Sequence, residues 1–431
     1  MKLSVIGTGY LGATHAAAMA ELGHEVVGID VDETKIGRLA AGEVPFFEPG
    51  LPELLSKHVA TGRLRFTTDL AAAADAEIHF VCVGTPQKPG EFAADLQYVD
   101  ASFAALARVA ASGSVAVGKS TVPVGTAARI APSLRARGVE LVWNPEFLRE
   151  GFAVEDTLRP DRIVIGSESG DAAATLERCY EAIVATGTPV VHADFPTAEL
   201  VKVAANSFLA TKISFINAMA EVCEVVGADV VKLAEAIGHD ERIGHKFLRA
   251  GLGFGGGCLP KDIRAFMARA GELGVDQAVA FLKNVDEINL RRRARMVDLA
   301  RELCDGSLAG RRAGVLGAAF KPNSDDIRDS PALDVAYAIQ KSGAAVWVYD
   351  PEAMGNAKET HPTLAYAPSA LDACRDADVV LHLTEWSEFR DITPDALAEI
   401  VRHKNIIDGR NVLDPDTWRS AGWHFRALGR P

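Results

Sequence analysis

Short apolar runs alternate with stretches of helical spacing through the first part of the chain. The runs predict strands at 3–6, 26–29, 78–83, 115–118 and 141–143, and the spacing predicts helices at 11–22 and from residues 98 and 126. Glycine residues turn the chain between the first strand and helix and end that helix at Gly23. Because strands that alternate with helices form parallel sheets covered on both faces, the chain is predicted to begin with a doubly wound α/β domain.

Strand signals stop near Thr197, where the pattern becomes continuously helical. Two long helices are predicted, at 197–227 and from about 275 to 304. Long helices between two α/β regions often carry a subunit interface, so this part is interpreted as a dimerisation region.

Strand and helix signals resume beyond Arg311. Strands are predicted at 314–316, 345–349, 377–383 and 405–407, with a helix at 332–341. The loop after the first of these strands lacks a phosphate-binding glycine pattern. The fold class predicted is therefore α/β, with two doubly wound Rossmann-like domains joined by a long-helix dimerisation region. The expected boundaries are 1–196, 197–304 and 305–431.

Composition narrows the class of protein and its partners. The chain has 45 Lys and Arg against 58 Asp and Glu, a formal charge of −13, which opposes nucleic-acid or anionic-membrane partners. Its six cysteines include no C-x-x-C pair, so neither a disulfide framework nor a metal site is expected. Five are interpreted as packing residues: Cys82, Cys179, Cys223, Cys304 and Cys374. A strand from Lys2 and the lack of a long apolar stretch predict a cytoplasmic protein without signal peptide or membrane span.

The turn at 7–12 reads G-x-G-x-x-G, between a predicted strand and a predicted helix. Gly7 makes the tight turn, Gly9 lets a pyrophosphate approach the backbone, and Gly12 lets helix and strand pack closely. Asp30 closes the second strand, where a carboxylate binds ribose hydroxyls and repels a 2′-phosphate, so NAD is favoured over NADP. A glycine turn without a cofactor is the weaker alternative.

The segment GFGGGCLPKD places Cys258 after three glycines and before Pro260. Proline suits the first turn of a helix, so Cys258 is predicted at or beside a helix N-terminus. The positive end of the helix, with Lys261 nearby, favours thiolate over thiol. Asp262 lies four residues on, with its carboxylate expected near the sulfur. On these residues alone, a nucleophile and a buried structural cysteine are equally good interpretations.

Several further motifs accompany the glycine turn and the cysteine segment. They are EPGL at 48–51, VCVGTP at 81–86, STVPVGT at 120–126, NPEFLREG at 144–151, KVAANSFLATKISFIN at 202–217 and FKPNSDDIRDSP at 320–331. With these motifs in this order, the chain resembles the UDP-glucose/GDP-mannose dehydrogenase family over almost its whole length.

The resemblance implies an NAD-dependent four-electron oxidation of a sugar C6 alcohol to a carboxylate. Two hydrides go to two NAD molecules in succession, and the intermediate aldehyde stays bound. Cys258 is expected to capture it as a thiohemiacetal, which is oxidised to a thioester and hydrolysed, and this agrees with the need for a nucleophile.

The resemblance also assigns roles to residues around the reacting carbon. Lys202 and Asn206, four apart in a helical stretch, are expected at the reacting oxygen, for proton transfer and oxyanion stabilisation. A solvated helix face is the alternative for this pair. Thr121 and Asp262 are expected to hold water, and Glu146 is a candidate base in thioester hydrolysis. Helix N-terminal charge stabilisation is the alternative for Glu146 and Glu150.

Binding residues follow from the same resemblance. The NAD-binding set is Gly7, Gly9, Tyr10, Leu11, Gly12, Asp30, Lys35, Thr85, Thr121, Glu150 and Arg328. The UDP-sugar set is Glu146, Phe147, Leu148, Arg149, Lys202, Asn206, Arg242, Phe247, Arg249, Gly255, Cys258, Phe320, Lys321 and Arg410, with Lys246 as a further phosphate candidate. Arg242 is expected to reach a neighbouring subunit's substrate, which implies a homodimer or higher oligomer. The domains become NAD-binding at 1–196, central with the cysteine at 197–304, and UDP-sugar-binding at 305–431.

Two positions depart from the family pattern. Gly257 stands where many members have serine, and Leu259 where many have phenylalanine. The sugar therefore stays open, and a sibling enzyme acting on GDP-mannose or another UDP-sugar is the nearest alternative. A two-electron β-hydroxyacid-type dehydrogenase and a non-catalytic scaffold derived from the family are the more distant ones.

Overall fold

The computed structural model describes every residue from Met1 to Pro431, and the chain divides into two compact units. Unit 1 comprises Met1–Ala205 with Arg264–Asp276, and unit 2 comprises Asn206–Ile263 with Gln277–Pro431. The three domain boundaries expected from the sequence stay predictions.

An eight-stranded sheet forms the centre of unit 1. Its strands are β1 (Lys2–Ile6), β2 (Glu25–Ile29), β3 (Leu64–Thr67), β4 (Ile78–Val81), β5 (Val115–Gly118), β6 (Glu140–Trp143), β7 (Ile163–Ser167) and β8 (Val190–Ala193). Their order is β3-β2-β1-β4-β5-β6-β7-β8. All pairs are parallel except β6–β7, so the expectation of a purely parallel sheet is wrong at that step. Such a reversal near one edge is common in large α/β sheets.

Helices cover both faces of this sheet. They are α1 (Tyr10–Glu21), α2 (Glu33–Ala40), α3 (Leu51–Ala60), α4 (Gln97–Val109), α5 (Thr126–Arg135), α6 (Ala153–Leu158), α7 (Gly170–Cys179) and α8 (Glu181–Val184), with a 3₁₀ turn at Leu70–Ala73. Alternate strand residues enter two cores, because successive side chains point to opposite faces. Phe80 belongs to one core, and Val81 belongs to the other with Trp143.

The two long helices predicted from the sequence are present as α9 (Phe195–Val226) and α12 (Phe281–Leu303). Between them lie α10 (Val230–Gly238), α11 (Leu259–Glu272) and a 3₁₀ turn at Asp276–Val279. The helix expected from about 275 therefore begins six residues later, after that turn. The short α10 was not predicted from the sequence.

Unit 2 contains a second, entirely parallel sheet. Its strands are β9 (Arg312–Leu316), β10 (Ala345–Tyr349), β11 (Ala365–Tyr366), β12 (Val379–His382), β13 (Asn405–Asp408) and β14 (His424–Ala427), in the order β11-β10-β9-β12-β13-β14. The helices are α13 (Pro331–Lys341), α14 (Met354–Thr360), α15 (Ala370–Cys374), α16 (Ser387–Arg390), α17 (Pro394–Ala398) and α18 (Pro415–Ser420). The predicted fold class, with two doubly wound sheets and long helices, is confirmed. None of the helices is both long and apolar enough to span a bilayer.

Candidate active site

The glycine turn of unit 1 connects β1 to α1 and leaves open space at its centre. Gly7 has a φ of +86°, and a Cβ at Gly12 would lie 1.8 Å from the Gly7 carbonyl oxygen, so neither position accepts a side chain. A Cβ at Gly9 would meet nothing within 4 Å. Since no side chain caps the N-terminus of α1, its amides suit an anion such as a pyrophosphate.

Asp30 closes β2 beside this turn. Its carboxylate accepts hydrogen bonds from the Thr8 amide at 2.8 Å, the Thr8 hydroxyl at 3.2 Å and the Lys35 ammonium at 3.0 Å. Burial raises the pKa of Asp30, but these hydrogen bonds and that of the Asp32 amide outweigh it, so the pKa lies below its ordinary value. The position fits an acid that receives ribose hydroxyls, and Lys35 lies beside it.

The second sheet has an acid at the corresponding strand end, but its oxygens serve the protein itself. Asp350 follows β10 and is fully buried. It accepts from the amides of Ala318, Ala319 and Ala353 and from the Trp386 indole at 3.1 Å. The features of a dinucleotide site therefore occur only in the first sheet.

A buried glutamate that the sequence did not assign connects the glycine turn to the NPEFLREG segment. Glu48 accepts from the amides of Gly151 at 2.6 Å and Ala153 at 2.7 Å, and from the Tyr10 hydroxyl. Burial and Glu48 together raise the pKa of Tyr10, so the phenol stays protonated as a donor. Glu48 thus binds the N-terminus of α6, which begins at Ala153, and the helix N-terminal role given as the alternative for Glu146 and Glu150 stays a hypothesis.

The loops after β4 and β5 are joined beside Thr121. The Thr85 hydroxyl donates to the Thr121 carbonyl at 2.9 Å, and the Ser120 hydroxyl donates to the Val83 carbonyl at 2.6 Å. The buried Glu199 accepts from the amides of Gly125 and Ala127, both at 2.7 Å. Thr85 and Thr121 thus lie together at the carboxyl ends of β4 and β5, and their contacts with the cofactor stay predictions.

Lys202 forms a buried ion pair with Glu146. Its ammonium lies 3.0 Å from a Glu146 oxygen, and the two side chains are 5% and 13% exposed. The ammonium also lies 5.6 Å from the centre of the Phe147 ring. The other Glu146 oxygen accepts from the Leu148 amide at 2.8 Å. A solvated helix face does not describe Lys202, and an ammonium held this way suits hydrogen bonding to a developing alkoxide.

In unit 2, Cys258 immediately precedes α11, and the Asp262 amide donates to its carbonyl at 2.9 Å. It is the exposed cysteine of the chain, whereas the other five are buried. Burial raises the pKa of the thiols of Cys82, Cys179 and Cys374 to about 12. The alternative of a buried structural cysteine therefore does not describe Cys258, and the packing role predicted for the others is confirmed.

Asp262 and Asn206 form a buried pair in unit 2. The Asn206 amide nitrogen donates to Asp262 at 2.7 Å, and the Lys261 ammonium lies 2.6 Å from its other oxygen. Asn206 is 8% exposed and Asp262 is 2% exposed. Asn206 lies on α9, four positions after Lys202. Unit 1 ends within this helix at Ala205, so Lys202 belongs to unit 1 and Asn206 to unit 2.

The cysteine loop, residues 251–257, requires glycine where other segments approach it. A Cβ at Gly255 would lie 2.3 Å from the Asp329 carbonyl oxygen, and one at Gly256 would lie 2.7 Å from the Phe320 ring. At Gly257 it would lie 2.3 Å from the Arg328 guanidinium, so a serine there would require Arg328 to move. The Arg328 guanidinium also pairs with Asp326 at 2.7 Å.

The remaining predicted binding residues differ in exposure. In unit 1, Arg149 pairs with Asp156 at 2.6 Å. In unit 2, Arg242 is 89% exposed beside Asp240, Arg249 is 66% exposed and 3.8 Å from Glu385, and Lys321 lies 5.2 Å from the Phe320 ring centre. Phe247 has a φ of +66°, a sparsely populated conformation for a bulky residue. The contacts predicted between these residues and the substrate stay predictions.

Arg410 is buried and serves the loops around the cysteine. It donates to the carbonyls of Leu383 at 2.6 Å, Gly253 at 3.0 Å and Phe320 at 3.0 Å. Burial lowers the pKa of its guanidinium. The structure thus gives Arg410 a positioning role, and its predicted contact with substrate stays a prediction.

A doubly wound sheet with an open glycine turn and an acid at the next strand end is typical of an NAD-binding domain. Three family models match: the NAD binding domain at residues 1–184, the central domain at 196–291 and the UDP binding domain at 314–415 of UDP-glucose/GDP-mannose dehydrogenases. The chain belongs to the UDP-glucose/GDP-mannose dehydrogenase family, and its cofactor is NAD.

Individual relatives match the whole chain. A UDP-glucose 6-dehydrogenase of Rhizobium meliloti (strain 1021) is 42% identical, with all of both chains covered. The structure of a UDP-glucose dehydrogenase from Pyrobaculum islandicum is 38% identical with a TM-score of 0.90, covering 100% of this chain and 98% of that one. A UDP-D-ManNAc dehydrogenase from Pyrococcus horikoshii is 26% identical with a TM-score of 0.87, covering 100% and 99%. Dehydrogenases of different sugars thus share this fold.

Proposed function

We propose that this enzyme oxidises the C6 alcohol of UDP-glucose to a carboxylate, giving UDP-glucuronate. The observation that carries the proposal is the exposed thiol of Cys258 at the start of α11. A two-electron dehydrogenase has no use for such a thiol, whereas a four-electron oxidation needs a nucleophile that captures the aldehyde. NAD, when bound, accepts one hydride in each of the two oxidations.

In the first oxidation the alcohol loses a proton and a hydride from C6. We assign Lys202 and Asn206 to the C6 oxygen, where an ammonium and an amide N–H donate to the developing alkoxide. The ion pair with Glu146 supports this role for Lys202, because it holds the ammonium in place. The aldehyde produced remains bound.

In the second oxidation the Cys258 thiolate adds to the aldehyde carbon and forms a thiohemiacetal. Loss of the hydroxyl proton and the C6 hydride then gives a thioester, and water adds to its carbonyl while the C–S bond breaks and the thiol is regenerated. Asp262 and Thr121 are assigned to the water, and Glu146 to the proton that the water releases. The hydrogen bond from Asn206 to Asp262 supports a water-holding role for that carboxylate.

The match to a UDP binding domain supports a UDP-sugar substrate. A chain of net negative charge must supply cations locally for the phosphates of the substrate. We assign this role to Lys321, Arg242, Arg249 and Lys246. GDP-mannose and N-acetylated UDP-sugars are the rival substrates, since the fold is shared with enzymes that differ in sugar. Relatives of 38% to 42% identity named for UDP-glucose favour glucose.

The proposal predicts the ratio of NADH to sugar. With UDP-glucose, two NADH are expected per sugar consumed, measured by nicotinamide absorbance against chromatographic quantitation of UDP-glucuronate. GDP-mannose and UDP-N-acetyl sugars, supplied at equal concentration, are the comparison. A ratio of one would indicate a two-electron enzyme, preferential turnover of another sugar would change the substrate, and no turnover of any sugar would favour a scaffold.

Subunit association is proposed through one face of α9. Phe208, Phe215 and Val222 repeat every seven residues and are 67%, 49% and 52% exposed. An apolar stripe with this period is typical of a helix that packs against another helix, and a second copy presents the same stripe by twofold symmetry. We therefore assign this face to a homodimer interface.

The interface is tested by charge substitution. The double variant Phe208→Glu/Phe215→Glu is expected to sediment as a smaller species than the wild-type dimer or larger assembly. Association would bury two carboxylates in the interface without partners. Phe92→Glu, at a side chain of 55% exposure in unit 1, is the matched control. Equal mass for the double variant and wild-type protein would exclude this face.

A further inference from the structure

We propose that Asn289 and Arg293, one turn apart on α12, are positioning residues that fix the cysteine loop and thereby Cys258. The inference rests on the proposed function, because it assumes that the Cys258 thiol must meet an aldehyde carbon. Neither residue is assigned to substrate or cofactor; both act through the backbone of the loop.

The loop depends on restraints from outside itself. Gly253 and Gly256 have φ values of +93° and +83°, in a region that glycine enters freely. A segment rich in glycine loses much backbone entropy when it is ordered, so its own residues stabilise a single conformation poorly. Its amides and carbonyls must therefore be held by neighbouring groups if the position of Cys258 is to be fixed.

Asn289 holds both backbone groups of one loop residue. Its side-chain oxygen accepts from the Phe254 amide at 2.8 Å, and its nitrogen donates to the Phe254 carbonyl at 2.9 Å. Asn289 is fully buried. A Cβ at Gly253 would lie 2.1 Å from the Asn289 oxygen, so the glycine permits this close approach. The side chain thus pairs with Phe254 as a neighbouring strand would.

Arg293 connects the same loop to the segment 326–331. One guanidinium nitrogen donates to the Phe254 carbonyl at 3.1 Å, and another donates to the Asp329 carboxylate at 2.8 Å. The Gly256 amide of the loop also donates to the carbonyl of Arg328 in that segment, at 2.9 Å. The loop therefore lies between the buried face of α12 and the segment 326–331, and Arg293 binds to both the loop and that segment. The loop ends directly before Cys258.

The expected consequence is kinetic. A nucleophile must lie about 3–3.5 Å from the carbon that it attacks, and a displacement of about 1 Å costs roughly 100-fold in rate. Loosening the loop should therefore reduce kcat more than it changes the affinity for the sugar nucleotide, because the cations assigned to its phosphates lie outside residues 251–257.

The experiment compares Asn289→Leu and Arg293→Met with Arg292→Met. Arg292 is the adjacent residue on α12, equally buried, and its guanidinium pairs with Glu221 and Glu224 and not with the loop. We expect amide hydrogen exchange of a peptide covering 251–257 to quicken about tenfold or more in the two test variants. Their kcat should fall about 10- to 100-fold with KM changed less than about threefold. Arg292→Met should leave loop exchange and kcat near wild-type values.

Three results would overturn the inference: wild-type exchange in the loop of Asn289→Leu, an unchanged kcat in both test variants, or an equal fall of kcat in Arg292→Met. If a test variant does not fold, Arg293→Lys is used, which keeps one donor and should show intermediate exchange and kcat. If wild-type protein does not oxidise UDP-glucose, the proposed function fails, and the exchange measurement still decides whether these residues fix the loop.

Discussion

Replacing Cys258 with serine is expected to lower the steady-state rate of UDP-glucuronate formation on the order of 10³-fold or more, as loss of a nucleophile does. The first oxidation does not use the thiol, so a single turnover should still yield up to one NADH per site. The aldehyde should be detectable by trapping with hydroxylamine. Stopped-flow absorbance measures the NADH, and mass spectrometry identifies the trapped sugar nucleotide.

The control is Cys223→Ala, which removes a buried thiol from α9 in the same unit. It is expected to lose a little stability and to retain two NADH per sugar. Iodoacetamide gives an independent check, because Cys258 is exposed and the five other cysteines are buried. Alkylation of the native protein should therefore modify the peptide containing Cys258 in parallel with loss of activity. Unimpaired glucuronate production by Cys258→Ser would contradict the assignment of the nucleophile.

The parts of the site that sequence could predict are those whose chemistry is local. The glycine turn, Asp30 at a strand end and Cys258 before a helix each follow from a few adjacent residues and from the backbone conformation they impose. The resemblance to a family added roles for residues such as Lys202. The ion pair of Lys202 with Glu146 was not predicted, because 56 residues separate the partners in the chain.

The parts that sequence could not predict are long-range pairings of buried polar groups. Glu48 bonds to the Gly151 amide across 103 positions, and Arg410 bonds to the Gly253 carbonyl across 157. A charged residue in a polar stretch is ordinarily solvated, and nothing local distinguishes the exceptions. The polar sequence of α12 illustrates this, since Asn289 and Arg293 lie buried in it. The antiparallel pairing of β7 with β6 could not be predicted for the same reason, because the direction of a strand depends on which strand it pairs with in the folded sheet.

Replacing Lys202 with methionine is expected to suppress the first oxidation itself, in contrast to Cys258→Ser. Removing the ammonium takes away a hydrogen-bond donor at the reacting oxygen and the proton relay, a loss of about 10²- to 10⁴-fold in rate. Stopped-flow mixing with UDP-glucose and NAD should therefore show no rapid NADH phase. It should also show no aldehyde that hydroxylamine can trap. The two variants together would thus assign Lys202 to the first hydride transfer and Cys258 to the second.

Stability must be separated from chemistry in this test, because the substitution leaves the carboxylate of Glu146 buried without its ammonium partner. Breaking a buried ion pair in this way costs about 3–5 kcal/mol of unfolding free energy. The double variant Lys202→Met/Glu146→Gln removes that charge, so it should recover much of the thermal stability and none of the first oxidation. Lys212→Met is the control on the same helix, α9. The Lys212 ammonium donates to the Ile243 carbonyl at 2.9 Å, and Lys212 is not assigned to the site. A rapid NADH phase in the double variant, with stability restored, would remove Lys202 from the reacting oxygen and leave the ion pair as a purely structural feature.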